Sequence, residues 1–146
     1  MTNSASMLQD SGIALHIFVR DVREAAWFYP AAFGAEFLVH EESAGRSSLN
    51  ARFRIGNSLL NVSTDGDFSN QAQRGPGAKV GVGTCFELFV TDIDAALNRA
   101  LKAGATVLKD ARTHRPLRED YRFIVDPFGY IWCVSAFMND GGALCV

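Results

Sequence analysis

The 146-residue chain lacks any apolar run near the length of a membrane-spanning helix, which needs about 18 or more such residues. It also lacks a cationic surplus. Lys and Arg total 14 against 16 Asp and Glu, a net charge of −2, so the basic excess that releases counterions from nucleic-acid phosphates is missing. Paired cysteines are absent too. Cys85, Cys133 and Cys145 are odd in number and show no C-x-x-C spacing, which sets aside a disulfide scaffold or a structural zinc site and points to reduced thiols in a cytoplasm. Residues 1–11 do not follow the basic-then-apolar order of a signal peptide. A glycine-rich phosphate loop and a Ser-His-Asp arrangement are also missing. What the chain has is apolar mass: 48% hydrophobic residues, with 11 Phe, 3 Tyr and 2 Trp. That is enough for a core, and it suits a pocket walled by rings for a flat organic molecule.

The chain also contains itself twice. Phe18-Val19-Arg20-Asp21 returns 71 residues later as Phe89-Val90-Thr91-Asp92, with Val22 matched by Ile93. Gly34-Ala35-Glu36-Phe37-Leu38 matches Gly104-Ala105-Thr106-Val107-Leu108 at an offset of 70, and Leu59-Leu60-Asn61-Val62-Ser63 matches Ile131-Trp132-Cys133-Val134-Ser135 at 72. Three blocks in one order at nearly constant spacing define a duplicated unit.

Each copy opens with a strand, 14–20 or 85–91, running into an Asp that caps a helix by accepting a backbone N–H. Ile93, Ala96, Leu97, Ala100 and Leu101 repeat at three and four and predict one apolar face on the second helix. Gly34 and Gly104 stand where a helix end needs a positive φ. Pro30 predicts a kink or early stop in the first helix. Strand-like stretches follow at 35–40, 49–55 and 58–63, then at 105–108, 121–125 and 130–137, with turns at Gly56-Asn57 and Asp126-Pro127-Phe128-Gly129. The expected organisation is α+β. A polar tail (1–12) precedes a first βαβββ module (13–64), and a glycine-rich connector (65–83) leads to a second module (84–138) and a C-terminal tail (139–146). Within the connector, Phe68 is a candidate anchor.

The pieces Phe33-Gly34-Ala35-Glu36, Phe53-Arg54-Ile55-Gly56-Asn57 and Asp126-Pro127-Phe128-Gly129-Tyr130-Ile131-Trp132 make the repeat resemble the vicinal oxygen chelate superfamily. That group includes glyoxalases, bleomycin resistance proteins and extradiol dioxygenases, and the first and last of these pieces resemble its PhnB-like branch. The resemblance implies two tandem βαβββ modules curling into a cup-shaped, half-open barrel with helices outside, and a homodimer. It also implies a metal held from four equivalent positions, the first and last strands of each module. Transferred by spacing, those positions fall on Ala14, Asn61, Cys85 and Cys133. None offers the carboxylate or imidazole that a hard divalent ion prefers, so no metal and no cofactor is expected. A displaced zinc on His16, Glu87 and the cysteines is the exception to weigh.

His16 and Glu87 are repeat partners, and strand alternation turns both toward the cavity. They are the candidate catalytic pair if the protein is an enzyme. The candidate ligand-binding set is His16, Phe18, Arg52, Asn61, Cys85, Glu87, Phe89, Arg122 and Cys133. Phe18, Phe89 and Phe137 are wall candidates. Arg52 and Arg122 precede Phe53 and Phe123 in the two copies, where either can clamp an anionic group. Cys85 and Cys133 are inert strand residues unless a base activates them. Trp132 is expected to face away from the cavity under a helix, and Trp27 to serve the core or a dimer contact. His114 sits in a basic loop, Arg112 to Arg118, with the usual reading of a solvated surface.

Two functions follow. In the first, the cup sequesters a small aromatic or amphipathic molecule, a drug or metabolite, without metal, as in antibiotic resistance. In the second, it is a lyase, isomerase or cyclase using Glu87 and His16 for acid–base chemistry or, less directly, a divalent metal.

Overall fold

The computed structural model describes residues 12–42, 49–64, 75–76, 84–108 and 121–136. The order of elements is β1 (Leu15–Val19), α1 (Val22–Phe33), β2 (Glu36–Glu42), β3 (Leu49–Ile55), β4 (Ser58–Thr64), β5 (Cys85–Val90), α2 (Ile93–Ala103), β6 (Thr106–Val107), β7 (Tyr121–Val125) and β8 (Ile131–Ala136). This is the βαβββ unit twice. The predicted caps form: Asp21 accepts from the Arg23 N–H at 2.8 Å and Asp92 from that of Ala95 at 3.0 Å. Gly34 and Gly104 close the helices at φ 65° and 116°, conformations that any side chain would strain. The early stop expected at Pro30 does not occur, because α1 runs on to Phe33. A proline that close to a helix end removes one hydrogen bond while tertiary packing holds the last turn.

Each module makes one four-stranded sheet, ordered β1-β4-β3-β2 and β5-β8-β7-β6, and neither closes into a barrel. In both, the first and last strands pair in parallel: His16 stands beside Asn61, and Glu87 beside Cys133. Alternation then sorts the side chains. Ile17, Val19, Leu60, Val62 and Phe53 are buried toward the helices, while His16, Phe18, Asn61 and Arg52 take the opposite, inner face.

The core is shared by both modules rather than built twice. Phe28 and Tyr29 of α1 are 1% and 0% exposed. Rings from both halves surround them, with Phe53 and Trp132 at 6.0 and 5.9 Å from Tyr29, and Phe128 at 6.0 Å from Phe28. Removing each such ring from water contributes about 1.5–3 kcal/mol. Trp132 is buried under α1, 4.6 Å from the Phe33 ring, the placement its alternation predicts. Trp27 joins no core; it is 63% exposed on α1.

Two polar fasteners cross from one module to the other. Asp126, 4% exposed, accepts from Tyr29 Oη at 2.7 Å and Trp132 Nε1 at 2.9 Å, and from the Phe128 and Tyr130 N–H groups at 2.9 Å each. Burial pushes its carboxyl pKa up, while the donated bonds pull the other way. The Tyr29 phenol is raised well above its ordinary value by burial and by the nearby carboxylate. In the second fastener, Tyr130 Oη accepts from the Phe18 N–H and donates to its carbonyl, both at 2.9 Å. Gly75 lies against the same point, where an added Cβ would overlap the Phe18 carbonyl oxygen. The proposed anchor Phe68, like Phe137, His114 and Cys145, falls outside the described residues.

Candidate functional site

The strand register lines the inner faces up row by row. On the first sheet His16, Asn61, Arg52 and Val39 form one row. On the second, Glu87, Cys133 and Phe123 form the matching row. The next row holds Phe18, Ser63 and Asn50 on the first sheet, and Phe89, Ser135 and Tyr121 on the second.

Each titratable side chain is tied to the serine of the neighbouring row. His16 Nε2 lies 2.7 Å from Ser63 Oγ, and Ser135 Oγ donates to Glu87 Oε1 at 2.8 Å. The serines are buried, 2% and 4% exposed. Because they align in the duplicated sequence, the hydrogen bond itself is duplicated. Neither serine was singled out from the sequence, although their match in the repeat was the available signal.

His16 and Glu87 do not meet. His16 lines a hollow of about 260 Å³ on the first sheet, together with Asn50, Arg52, Asn61 and Ser63. Glu87 lines a separate cleft of about 550 Å³ between the modules. The β3–β4 hairpin from Ile55 to Leu60 forms one wall of that cleft, and Cys85 to Phe89 form the other with Trp132, which packs under α1 as expected but also borders this cleft instead of facing away from it. No hydrogen bond or ion pair joins His16 to Glu87 among the described residues.

The expected equivalence of Arg52 and Arg122 is corrected by register. Arg52 stands opposite Asn61, but Arg122 stands opposite Val134, whose side chain is 0% exposed on the helix side. A one-residue offset flips a side chain to the other face of a sheet. The residue structurally matching Arg52 is Phe123. Arg122 donates from Nη1 to the Tyr121 carbonyl at 2.8 Å and lines neither hollow.

Phe18 stacks on His16, ring centres 4.9 Å apart and 8° from parallel, while Phe89, 48% exposed, opens onto the cleft. Asn61 Oδ1 accepts from Arg52 Nε at 2.8 Å. Cys133 is buried, with its sulfur 3.4 Å from Ser135 Oγ. Burial pushes the exposed-edge thiol of Cys85 up, and the Glu87 carboxylate adds to the rise against the Cys133 N–H. A raised thiol pKa leaves little thiolate, which argues against a nucleophile there.

The donor set does not fit the superfamily's usual metal. Of the four implied positions, Ala14 offers no donor, Asn61 serves Arg52, and Cys85 and Cys133 are soft thiols where a hard divalent ion wants oxygen or imidazole. Among the described residues, no group of three His, Cys, Asp or Glu side chains is arranged to hold an ion.

Two βαβββ halves, each with a parallel outer pair and an inner face opening on a hollow, define the vicinal oxygen chelate class. The family model described as Glyoxalase-like domain matches residues 13–135, and the chain belongs to that family. It is 30% identical over 127 residues to the uncharacterized protein Rv0887c of Mycobacterium tuberculosis, covering 86% of this chain and 74% of that one. The fosfomycin resistance protein FosX of Mesorhizobium loti shares the fold, with a TM-score of 0.65 at 14% identity over 89% of this chain and 94% of the other. A gene product of Arabidopsis thaliana gives a TM-score of 0.66 at 23% identity, covering 86% and 98%. No helix among the described residues is long and apolar enough to cross a membrane.

Proposed function

We propose that this protein binds a small amphipathic molecule, a drug or metabolite, in the cleft between its modules and does so without a metal. The observation that carries this reading is the composition of the cleft. Leu15, Leu59, Phe86 and Phe89 present apolar surface, and Glu87 is the single carboxylate among the described residues that line it. Apolar walls supply affinity by excluding water, and one fixed polar group orients the guest. Ser135 holds Glu87 in place for that role. Likeness to a protein whose name records fosfomycin resistance supports an antibiotic or a chemically similar metabolite as guest. We place the protein in the PhnB-like branch, in the cytoplasm and as a homodimer, on the strength of its sequence pieces, the family resemblance and an odd cysteine count without C-x-x-C spacing.

The test is native mass spectrometry of the full chain before and after EDTA, followed by fluorescence titration with the neutral probe N-phenyl-1-naphthylamine. Saturable binding unchanged by EDTA is expected. Phe89→Ala should weaken it by about three- to tenfold, the worth of one aromatic contact. A stoichiometric divalent ion whose removal abolishes binding overturns the reading.

A second reading rests on the chain of contacts from Cys133 through Ser135 to Glu87. In it, the carboxylate acts as a proton acceptor at the cleft and the protein is a lyase or isomerase. Turnover lost in Glu87→Gln, with probe binding retained, selects this reading over sequestration.

A further inference from the structure

The hollow on the first sheet differs in kind from the cleft. Its lining is rich in donors, namely His16, Asn50, Arg52, Asn61 and Ser63, with Val39 at one side, and includes no carboxylate among the described residues. Two arginines on β3 show what is unusual about it. Arg54 forms an ion pair with Glu36. Arg52, two residues earlier on the same strand face, meets no carboxylate among the described residues; its partner is an amide, Asn61 Oδ1, at 2.8 Å.

That bond occupies the guanidinium at Nε and leaves the donors of the two terminal nitrogens, the end-on fork that a carboxylate meets with both oxygens. Planarity and the fixed Nε–H bond hold the fork in one orientation before any ligand arrives, which lowers the ordering cost of binding. Asn61 stands at one of the four positions where the superfamily keeps a metal ligand, yet here its oxygen serves an arginine. Beside it, the His16 ring, stacked on Phe18 and tied to Ser63, forms a flat wall. A volume of about 260 Å³ limits the guest to a small molecule.

We propose that this hollow is a binding site for a small organic carboxylate, gripped end-on by Arg52, with Asn61 as the positioning residue and the His16 ring and Val39 against the body of the guest. The proposal is independent of what the cleft binds.

The experiment uses the full chain, with benzoate as probe and benzamide as its uncharged isostere, followed by two-dimensional amide NMR and calorimetry. Benzoate should give saturable shifts at the Asn50, Asn61 and Ser63 amides, and benzamide none. Arg52→Gln should weaken benzoate by about tenfold or more, and Arg52→Lys, which keeps the charge but not the fork, should fall between. Asn61→Ala should weaken benzoate less than Arg52→Gln does, since it frees the fork without removing it. Arg54→Gln, outside the hollow, should stay within about twofold. Equal binding of benzamide, full affinity in Arg52→Gln, an equal loss in Arg54→Gln, or no saturation by about 10 mM benzoate overturns the site. Inorganic phosphate binding in preference to benzoate at the same amides overturns the carboxylate assignment. Amide spectra of each variant report directly on whether it is folded.

Discussion

On the inner face of the first sheet, His16, Asn61, Arg52 and Val39 cross β1, β4, β3 and β2 in one row; on the second, Glu87, Cys133 and Phe123 fill the corresponding places. The serine that braces the titratable group is kept in both halves, and the group itself changes from imidazole to carboxylate. One face thereby becomes rich in donors around a cation, while the other becomes apolar around an anion. Duplication supplied the backbone plan and the brace, and substitution at the row of former equivalents gave the halves opposite polarity. The halves also differ in how they are fastened. The turn before β8 carries Asp126, and the corresponding turn of the first half, Gly56-Asn57, has no acidic residue.

That asymmetry is the easiest part of the comparison to break. Asp126→Ala orphans two buried side-chain donors and two backbone N–H groups, at about 1–3 kcal/mol for each group left unsatisfied. A loss of about 3 kcal/mol or more in urea denaturation is expected, and a smaller loss means the modules are held chiefly by ring packing. The titration of this group sharpens the point. Because burial raises its pKa in the folded state, the folded form holds the proton more tightly than the unfolded one. The contribution is fully present below the ordinary carboxylate pKa of about 4 and is lost as pH rises through the raised value. Wild type measured against Asp126→Asn should therefore lose relative stability as pH rises across that window.

Gly75→Ala tests the second fastener. The new methyl group has to displace the connector from Phe18, a local overpacking that costs about 1–3 kcal/mol, seen as a lower urea midpoint with the denaturant slope unchanged. The braces come next. Ser63→Ala and Ser135→Ala should each cost about 1 kcal/mol, the net worth of a hydrogen bond. Only Ser135→Ala should alter probe affinity in the cleft, and only Ser63→Ala should move the His16 ring resonances. If either variant perturbs both faces equally, the two hollows are coupled. The smallest effect on the hollow belongs to Arg122→Ala, expected to leave benzoate affinity unchanged. A loss of benzoate affinity there restores the equivalence with Arg52 that the strand register denies.

Much of this was legible beforehand. The repeat gave the order of elements, and the Asp and Gly punctuation gave the helix ends. Alternation placed Trp132 under α1. Other features required the pairing of strands. Arg52 and Arg122 look equivalent when each is read beside its own Phe, but β7 pairs one residue out of step with that reading, so Arg122 turns to the helix side. That His16 and Glu87 line two different hollows depends on strand pairing, which no spacing along a single strand encodes. Pro30 failed as a stop signal because the packing of Phe28, Tyr29 and Ala32 on the shared core outweighs one missing hydrogen bond.

The clasp of Tyr130 on Phe18 carries a consequence for assembly. β1 borders its sheet, and an unguarded border strand invites a stranger's strand to continue the ladder. With its amide and carbonyl at Phe18 both taken by one phenol, that border has no unbroken run of free groups to offer. β1 is thereby protected from the open-ended stacking that ends in fibres, a guard specific to this one border.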